Sequence, residues 1–273
     1  MKATPPSCDA PLVEDARVTV VVASRNRRDE LVASIGEHRA RVVLMDNAST
    51  DGSAAAVRRV HPWVEVVELG SNVGAYARTV GVGRARTPYV AFADDDSWWA
   101  PGSLRAAADV LEREPAVAVV AARILVGADE HPDSFCDVLA TSPLRGAGGR
   151  PRLLGFVACG AMVRREHFLE AGGFDDVVRF PGEEERLALD LAAAGRQVVY
   201  CDDVVVHHHP SPARHSPERR VRAVTRSAVL TAVMRLPADD VLRRIRTAAR
   251  ASPATRGGLR DAARDVPRAP WLR

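Results

Sequence analysis

Short apolar runs alternate with amphipathic segments over the first two thirds of the chain. Runs of β-branched residues that are too short for helices predict buried strands. Strands are expected at 17–24, 42–45, 64–69, 89–93, 116–126, 157–163 and 197–206. Helices are expected at 28–37, after 51–53, at 75–85, after Pro101 and at 183–194. This alternation predicts an α/β fold with a right-handed parallel sheet.

The helix boundaries differ in how clearly they are marked. Asp51 to Ser53 carry good capping chemistry, and Pro101 stands at a helix start with Ser97 as its expected cap. Residues 127–155 are polar and rich in Gly and Pro, which predicts a long mobile loop. Beyond Pro212 the pattern predicts two arginine-rich amphipathic helices, 217–235 and 238–250, and then a loose end.

Three consecutive aspartates, Asp94, Asp95 and Asp96, follow the predicted strand at 89–93. A buried strand cannot hold three adjacent carboxylates, so they belong at its carboxyl end, where open α/β sheets bind ligands. Adjacent carboxylates repel one another unless a cation neutralises them, and their hard oxygens suit Mg²⁺ or Mn²⁺. Such a metal commonly bridges to phosphates of a substrate. The other interpretation is an acidic surface turn.

Composition narrows the class of protein. The chain has 273 residues, of which 47% are hydrophobic, enough for one large or two small α/β domains. Its four cysteines are scattered without a CxxC pair, which favours a reducing compartment and argues against structural zinc. No signal-peptide pattern and no apolar run of about 18 residues is present, so we expect a cytoplasmic protein.

The net charge of +3 hides an asymmetry between body and tail. Residues 211–273 contain 15 arginines and five acidic residues, a local +10, which leaves −7 for the remainder (3 − 10). An anionic acceptor, a membrane surface and a solvated helical face all explain such a tail. We expect its apolar side to pack on the body or on a second subunit as a homodimer, and we expect no nucleic-acid partner. That side comprises Val221, Val224, Val229 and Val233.

Six motifs resemble, in order and spacing, the inverting nucleotide-sugar glycosyltransferases of family 2, which have the GT-A fold. They are VTVVVASRNR, LMDNASTDGS, NVGAYARTVGVGRARTPYVAFADDD, GAMVRREHFLEAGGFDD, GEEERLALDLAAAG and VVYCDDVVVHHHPSPAR. The resemblance implies a mixed, mostly parallel sheet flanked by helices in a catalytic domain at 17–214. Its nucleotide-binding half would span about 17–100 and its acceptor half about 101–214. A flexible N-terminus at 1–16 and an arginine-rich helical extension at 215–273 would flank it.

The resemblance also implies which residues bind the donor. It places Ser24, Asn26 and Asp46 in the nucleoside pocket, where the Asp46 carboxylate accepts the N3 hydrogen of a uracil-like or thymine-like base. This role favours a UDP-sugar or dTDP-sugar donor, with GDP as an alternative. The alternative interpretation of the segment around Asp46, without a role in binding, is a helix-capping loop.

Further residues of the donor site follow from the same motifs. The loop with Asn72 and Gly74 would pass close to the ligand, and Arg78 would reach the diphosphate. Asp94 would approach the ribose, and Asp95 would ligate the metal through water. Gly160 and Ala161 belong to the segment that shapes the pocket of the donor sugar, although packing explains small residues equally well.

The resemblance assigns the metal to Asp96 and His208. His208 is the middle member of a histidine triplet at the end of the last predicted strand. Successive strand residues point to opposite faces, so the three histidines cannot all bind one ion. His208 shares a face with Val204 and Val206. Arg214, just beyond, is a further candidate for phosphate contact.

The acceptor side is predicted at the start of the helix at 183–194. Glu183 and Glu184 open that helix, where the positive end of its dipole favours anions. Inversion needs a base that takes a proton from the acceptor hydroxyl. The resemblance assigns the base to Glu184, but glutamate replaces the family's aspartate, so Glu183 stays an alternative. The acceptor itself cannot be inferred from these residues.

Other classes of protein share some of these sequence features. A sugar-phosphate nucleotidyltransferase shares a similar sheet and acidic metal site, but its glycine-rich triphosphate loop is missing at Ala23–Arg28. A non-catalytic sugar-nucleotide-binding homologue would have no need for the full set of carboxylates. A Rossmann dehydrogenase is disfavoured because no GxGxxG follows the first strand.

Overall fold

A computed structural model describes residues 12–211 and 216–268. The predicted flexible N-terminus therefore lies mostly outside the described residues. The strands are β1 Val18–Ser24, β2 Arg41–Asp46, β3 Glu65–Glu68, β4 Tyr89–Ala93, β5 Ser97–Trp99, β6 Val117–Val126, β7 His131–Pro132, β8 Arg152–Leu153, β9 Ala161–Arg164 and β10 Gln197–His208.

The helices flank this sheet and continue beyond it. They are α1 Arg28–Ser34, α2 Ser53–Val60, α3 Tyr76–Arg84, α4 Ser103–Arg113, α5 Ser134–Ala140, α6 Arg165–Glu170, α7 Glu183–Ala193, α8 Pro217–Arg235, α9 Ala238–Ala251 and α10 Pro253–Asp265. Short 3₁₀ turns occupy Ile35–Glu37, Ala147–Gly149, Ala158–Gly160 and Val266–Arg268. None of the helices in the described ranges is both long and apolar enough to span a bilayer.

The strands form one mixed sheet in the order β3-β2-β1-β4-β9-β6-β10-β5. β9 runs antiparallel between β4 and β6, and β5 runs antiparallel beside β10. The pairs β1–β2, β1–β4, β2–β3 and β6–β10 are parallel. The α/β prediction is thus confirmed, with antiparallel strands added to the parallel sheet.

Strand β4 lies in the middle of the sheet and is buried on both faces. Val90 and Phe92 join the core on one side, and Tyr89, Ala91 and Ala93 join the core on the other. Burial on both faces is why this strand reads as a continuous apolar run instead of an alternating one. The carboxylates that follow it are therefore the first residues able to reach solvent.

Three local predictions were wrong. Ser97 does not cap α4, because it belongs to β5, and Gly102 occupies the N-cap position with φ of +87°. Residues 127–155 contain α5, β7 and β8, with the Asp133 side chain capping α5. The expected loose end contains α10, which begins with a capping box between Ser252 and Thr255.

The C-terminal extension, defined as α8, α9 and α10, packs on the body of the same chain. Val229 is buried and Val233 partly buried against it, whereas Val221 and Val224 are 42% and 41% exposed. The predicted apolar side therefore covers only the second half of α8. The first half packs on α10, where Arg222 pairs with Asp261, and its two valines stay partly exposed on the other side.

Candidate functional site

A cluster of potential metal ligands lies at the carboxyl end of β4. Asp94, Asp96 and His208 each offer one ligand atom, and these atoms lie within 4.8 Å of one another. His208 Nε2 is 3.3 Å from Asp96 Oδ1, and the Ser211 amide donates to Asp96 Oδ2 at 3.0 Å. Carboxylate oxygens suit Mn²⁺ or Mg²⁺, and an imidazole nitrogen is a common ligand of divalent transition metals. The residues present therefore fit a divalent cation, and Asp94 joins the two ligands expected from sequence.

The pairing of β5 with β10 produces this cluster. The Ser97 hydroxyl accepts a hydrogen bond from the Asp94 amide at 2.8 Å, which turns the chain back along β10. Ser97 then lies opposite His208 in the antiparallel register. The His209 amide donates to the Asp96 carbonyl at 2.8 Å. These contacts hold the segment after β4 beside the end of β10, although the two are more than 100 residues apart in the sequence.

The histidine triplet divides between the two faces of β10, as predicted. The Trp98 ring stacks on His207 at 5.5 Å between centroids and meets the edge of His209 at 4.7 Å. His207 Nδ1 also lies 2.8 Å from a Glu130 oxygen. Only His208 of the three is in the cluster.

Asp95 takes a different direction from its two neighbours. Its carboxylate accepts a hydrogen bond from Ser24 Oγ at 2.7 Å, and its carbonyl accepts one from Ser34 Oγ at 2.8 Å. Burial, together with the charges of Asp94 and Asp96, raises the pKa of Asp95 to about 7 against the opposing Ser24 hydrogen bond. Asp95 therefore ties the end of β4 to β1 and α1, outside the metal cluster.

The predicted nucleoside residues lie where β1 and β2 end. Asp46 is the last residue of β2, directly beside Ser24 in the register, and it is 3% exposed. Asn26 has φ of +55°, and its side-chain oxygen accepts a hydrogen bond from the Thr50 backbone amide at 2.8 Å. The Asn26 backbone amide donates to Ser49 Oγ at 2.9 Å. The loops after the two strands are thereby tied together.

The neighbouring Asn47 was missed by sequence reasoning. Its side chain accepts a hydrogen bond from the Val73 amide at 2.8 Å and donates to the Gly74 carbonyl at 3.0 Å. Asn72 closes the same loop by accepting from the Gly74 amide at 2.9 Å. An amide placed directly after a strand is the signal that would have identified Asn47.

Arg78 connects this side of the site to helix α7. It is 5% exposed, and its Nη2 pairs with Asp94 Oδ1. Its Nη1 lies 3.8 Å from Glu183 Oε1. One guanidinium therefore lies between the candidate metal cluster and the helix predicted to carry the base.

Glu183 and Glu184 differ in their surroundings. Glu183 is fully buried, and neither carboxylate oxygen accepts a hydrogen bond within the described part of the chain. Glu184 is partly exposed and accepts from the Ala158 amide at 3.3 Å. Burial raises the pKa of both carboxyls, that of Glu183 well above its ordinary value. Because the two groups interact, they titrate as a pair.

Gly160 and Ala161 lie next to the turn that Glu184 contacts. Both are buried, and a Cβ on Gly160 would lie 3.0 Å from Ile124 Cγ1. Their small size therefore allows β9 to approach β6 closely. Arg214, the remaining predicted residue, lies outside the described residues.

Known proteins resemble this chain in sequence and in fold. Residues 19–172 match the family described as Glycosyl transferase family 2. The chain is 28% identical, over 219 residues, to N-acetylglucosaminyl-diphospho-decaprenol L-rhamnosyltransferase of Mycobacterium tuberculosis. That alignment covers 64% of this chain and 70% of the relative.

Solved structures share the fold. The mannosyltransferase PcManGT from Pyrobaculum calidifontis, in complex with GDP-Man and Mn²⁺, superimposes with a TM-score of 0.61 and 24% identity over 93% of this chain and 77% of that one. S. aureus TarS 1–349, in complex with UDP-GlcNAc, gives a TM-score of 0.61 and 14% identity over 92% and 81%. With the family match covering more than half of the sequence, the chain belongs to glycosyl transferase family 2 and is a glycosyltransferase of the GT-A fold.

Proposed function

We propose that this enzyme moves a sugar from a nucleoside diphosphate sugar to an acceptor hydroxyl by a single, inverting displacement assisted by Mg²⁺ or Mn²⁺. One observation carries the proposal. Arg78 joins Asp94 of the candidate metal cluster to Glu183 in the first turn of α7. This arrangement supports a diphosphate site and a base site on the two sides of one buried guanidinium.

The donor is held on the nucleotide-binding side, about residues 17–100. Asp46 receives the base, favouring UDP or dTDP over GDP, with Ser24 and Asn26 beside it. Asp94, Asp96 and His208 would hold the cation. A bound cation offsets the charge that builds on the departing nucleoside diphosphate. Asp94 and Arg78 keep each other in place, since they form an ion pair.

The acceptor is held on the other side, about residues 101–214, where Glu184 takes its proton. Glu184 is favoured over Glu183 because it is partly exposed, whereas Glu183 is fully buried. The raised pKa of Glu184 brings the group closer to neutral pH, where a general base is most effective. Glu183 instead faces Arg78.

The acceptor class is proposed from charge and from the relative's name. Arg243, Arg246 and Arg250 lie on the outward face of α9 and line a surface depression of about 620 Å³. Leu242 beside them is 46% exposed. Arginines in this spacing favour a phosphate-bearing partner. A lipid-linked diphosphate sugar at the inner membrane face meets that description, and it matches the decaprenol-linked compound in the relative's name.

Calorimetry with UDP, dTDP, GDP and CDP, with and without Mn²⁺, tests the donor assignment. We expect Mn²⁺ to strengthen binding of UDP or dTDP most. Transfer to a polyprenyl-diphosphate sugar is then followed by NMR of the product's anomeric centre. Retention of configuration, or full activity in excess EDTA, would contradict the proposed mechanism. Formation of a nucleotide sugar from a nucleoside triphosphate would instead identify a nucleotidyltransferase.

A further inference from the structure

The segment that leads into α7 packs against the C-terminal extension. Val177 and Val178 are buried in a separate apolar cluster, away from the two cores of the sheet. The other buried members of that cluster all belong to the extension: Val229, Leu230, Met234 and Ala262. The extension therefore provides the apolar contacts that hold this segment.

Hydrogen bonds from α8 fix the backbone of the same segment. Arg226 Nη2 donates to the Val177 carbonyl at 2.7 Å, and Ser227 Oγ donates to the Arg179 carbonyl at 2.8 Å. Gly182, the N-cap of α7, has φ of +107°, and a Cβ there would lie 3.0 Å from Ser227 Cβ. α8 thus approaches the point where α7 begins as closely as a glycine allows.

α9 holds the first turn of α7 directly. Arg244 makes a two-pronged ion pair with Glu185, at 2.5 and 3.0 Å, and also donates to the Ala228 carbonyl at 3.1 Å. Glu183, two residues earlier, points toward Arg78. Residues two apart on a helix are separated by about 200°. The first turn is therefore held from nearly opposite sides, with Glu184 between them.

We infer that the C-terminal extension is a positioning element of the acceptor site, and that Arg244 acts through Glu185 to set the direction of Glu184. This inference rests on the proposed role of Glu184 as the base. The family match ends at residue 172, before α7 begins. The proposed base and the extension inferred to orient it both lie beyond the matched residues.

Arg244→Ala tests the inference, with Arg222→Ala as its matched control. Arg222 makes an equally two-pronged ion pair with Asp261, at 2.6 and 2.8 Å, entirely within the extension. A misplacement of about 1 Å can cost about 10²-fold in rate. We expect Arg244→Ala to lower kcat about tenfold at saturating substrates, with an unchanged donor KM. Arg244→Lys should recover part of that loss, and Arg222→Ala should keep the wild-type kcat.

Hydrogen exchange of peptides covering 183–190 provides a readout that does not need activity. The amides of residues 187–189 bond to the carbonyls of the first turn, so their exchange reports its opening. We expect faster exchange in Arg244→Ala and no change in Arg222→Ala. Unchanged exchange or a wild-type kcat in Arg244→Ala would overturn the inference, and an equal kcat loss in both variants would overturn the specific route through Arg244 and Glu185. An inactive wild type would contradict the proposed function, while exchange would still decide whether Arg244 orders the turn.

Discussion

The two sides of the site are built in different ways. On the proposed nucleotide side, the residues proposed to bind the donor lie at the ends of β1, β2 and β4, and hydrogen bonds between adjacent loops hold them. On the acceptor side, Glu184 stands at the start of α7, and helices α8 and α9 hold that start.

The two sides should therefore be sensitive to different substitutions. Parallel strands in register place their carboxyl ends together, so the nucleotide side depends mainly on the sheet. The acceptor side depends on contacts between residues distant in the chain. A change in the extension should therefore affect transfer and leave nucleotide binding intact, whereas a change at the strand ends should affect nucleotide binding first.

The largest effect is expected from Asp96→Ala on the nucleotide side. Loss of a cation ligand removes several kcal/mol of charge stabilisation, which corresponds to at least about 10³-fold in rate. Transfer and the Mn²⁺-dependent part of nucleotide binding should both disappear in activity and calorimetric assays. Asp202→Ala, which removes a 65% exposed carboxylate of β10, is the control and should behave as wild type. Normal transfer by Asp96→Ala would refute the metal site.

On the acceptor side, Glu184→Gln should reduce kcat by about 10²–10⁴-fold while nucleotide affinity stays unchanged. The base acts deprotonated, so wild-type activity falls as pH falls through its pKa. Burial raises that pKa, so this acid limb should lie above the ordinary range of glutamate. pH profiles of kcat/KM measure it, and the limb should vanish in the variant.

Glu183→Gln separates the two glutamates. It keeps the size of the side chain. The variant should retain most of the activity, because a fully buried carboxyl does not reach the acceptor hydroxyl. An inactive Glu183→Gln beside an active Glu184→Gln would move the base one residue back.

The extension can be weakened through its apolar cluster. Leu230 is fully buried there, so Leu230→Ala should cost about 2–5 kcal/mol in the free energy of unfolding. Chemical denaturation measures that loss. kcat should fall in the protein that remains folded, while nucleotide affinity does not. Val224→Ala, at a 41% exposed site on the same helix, should change stability by less than about 0.5 kcal/mol. Equal destabilisation by both changes would mean that the cluster does not anchor the extension.

On the nucleotide side, a smaller effect than that of Asp96→Ala should come from Asn47→Ala, which releases the loop of Asn72 and Gly74. Two hydrogen bonds are lost, each worth about 1 kcal/mol, so nucleotide affinity should weaken about tenfold or somewhat more. Asn47→Asp keeps the acceptor for the Val73 amide and should give an intermediate affinity by calorimetry. A lower kcat with unchanged nucleotide affinity would contradict the expectation that changes on the nucleotide side affect nucleotide binding first.

Much of the nucleotide side could be predicted from sequence because its signals are local. Burial of β4 on both faces forces Asp94 to Asp96 to its end, and the family resemblance, with which the two-residue period of β10 agrees, points to His208. The same locality explains the errors. No residue near Asp95 in the sequence indicates that Ser24 donates a hydrogen bond to its carboxylate. Likewise, no local signal indicates that Ser97 pairs with β10 instead of capping a helix.

The sequence by itself determined the alternation of strands and helices, the family, and the residue types gathered at the strand ends. The tertiary structure alone decided which of those side chains meet and how α7 is oriented. Arg78 lies between Asp94 and Glu183, and Arg244 reaches Glu185 from 59 residues away. Periodicity reports which face of an element is buried. The partner on that face is chosen by packing among distant segments, which no local pattern encodes.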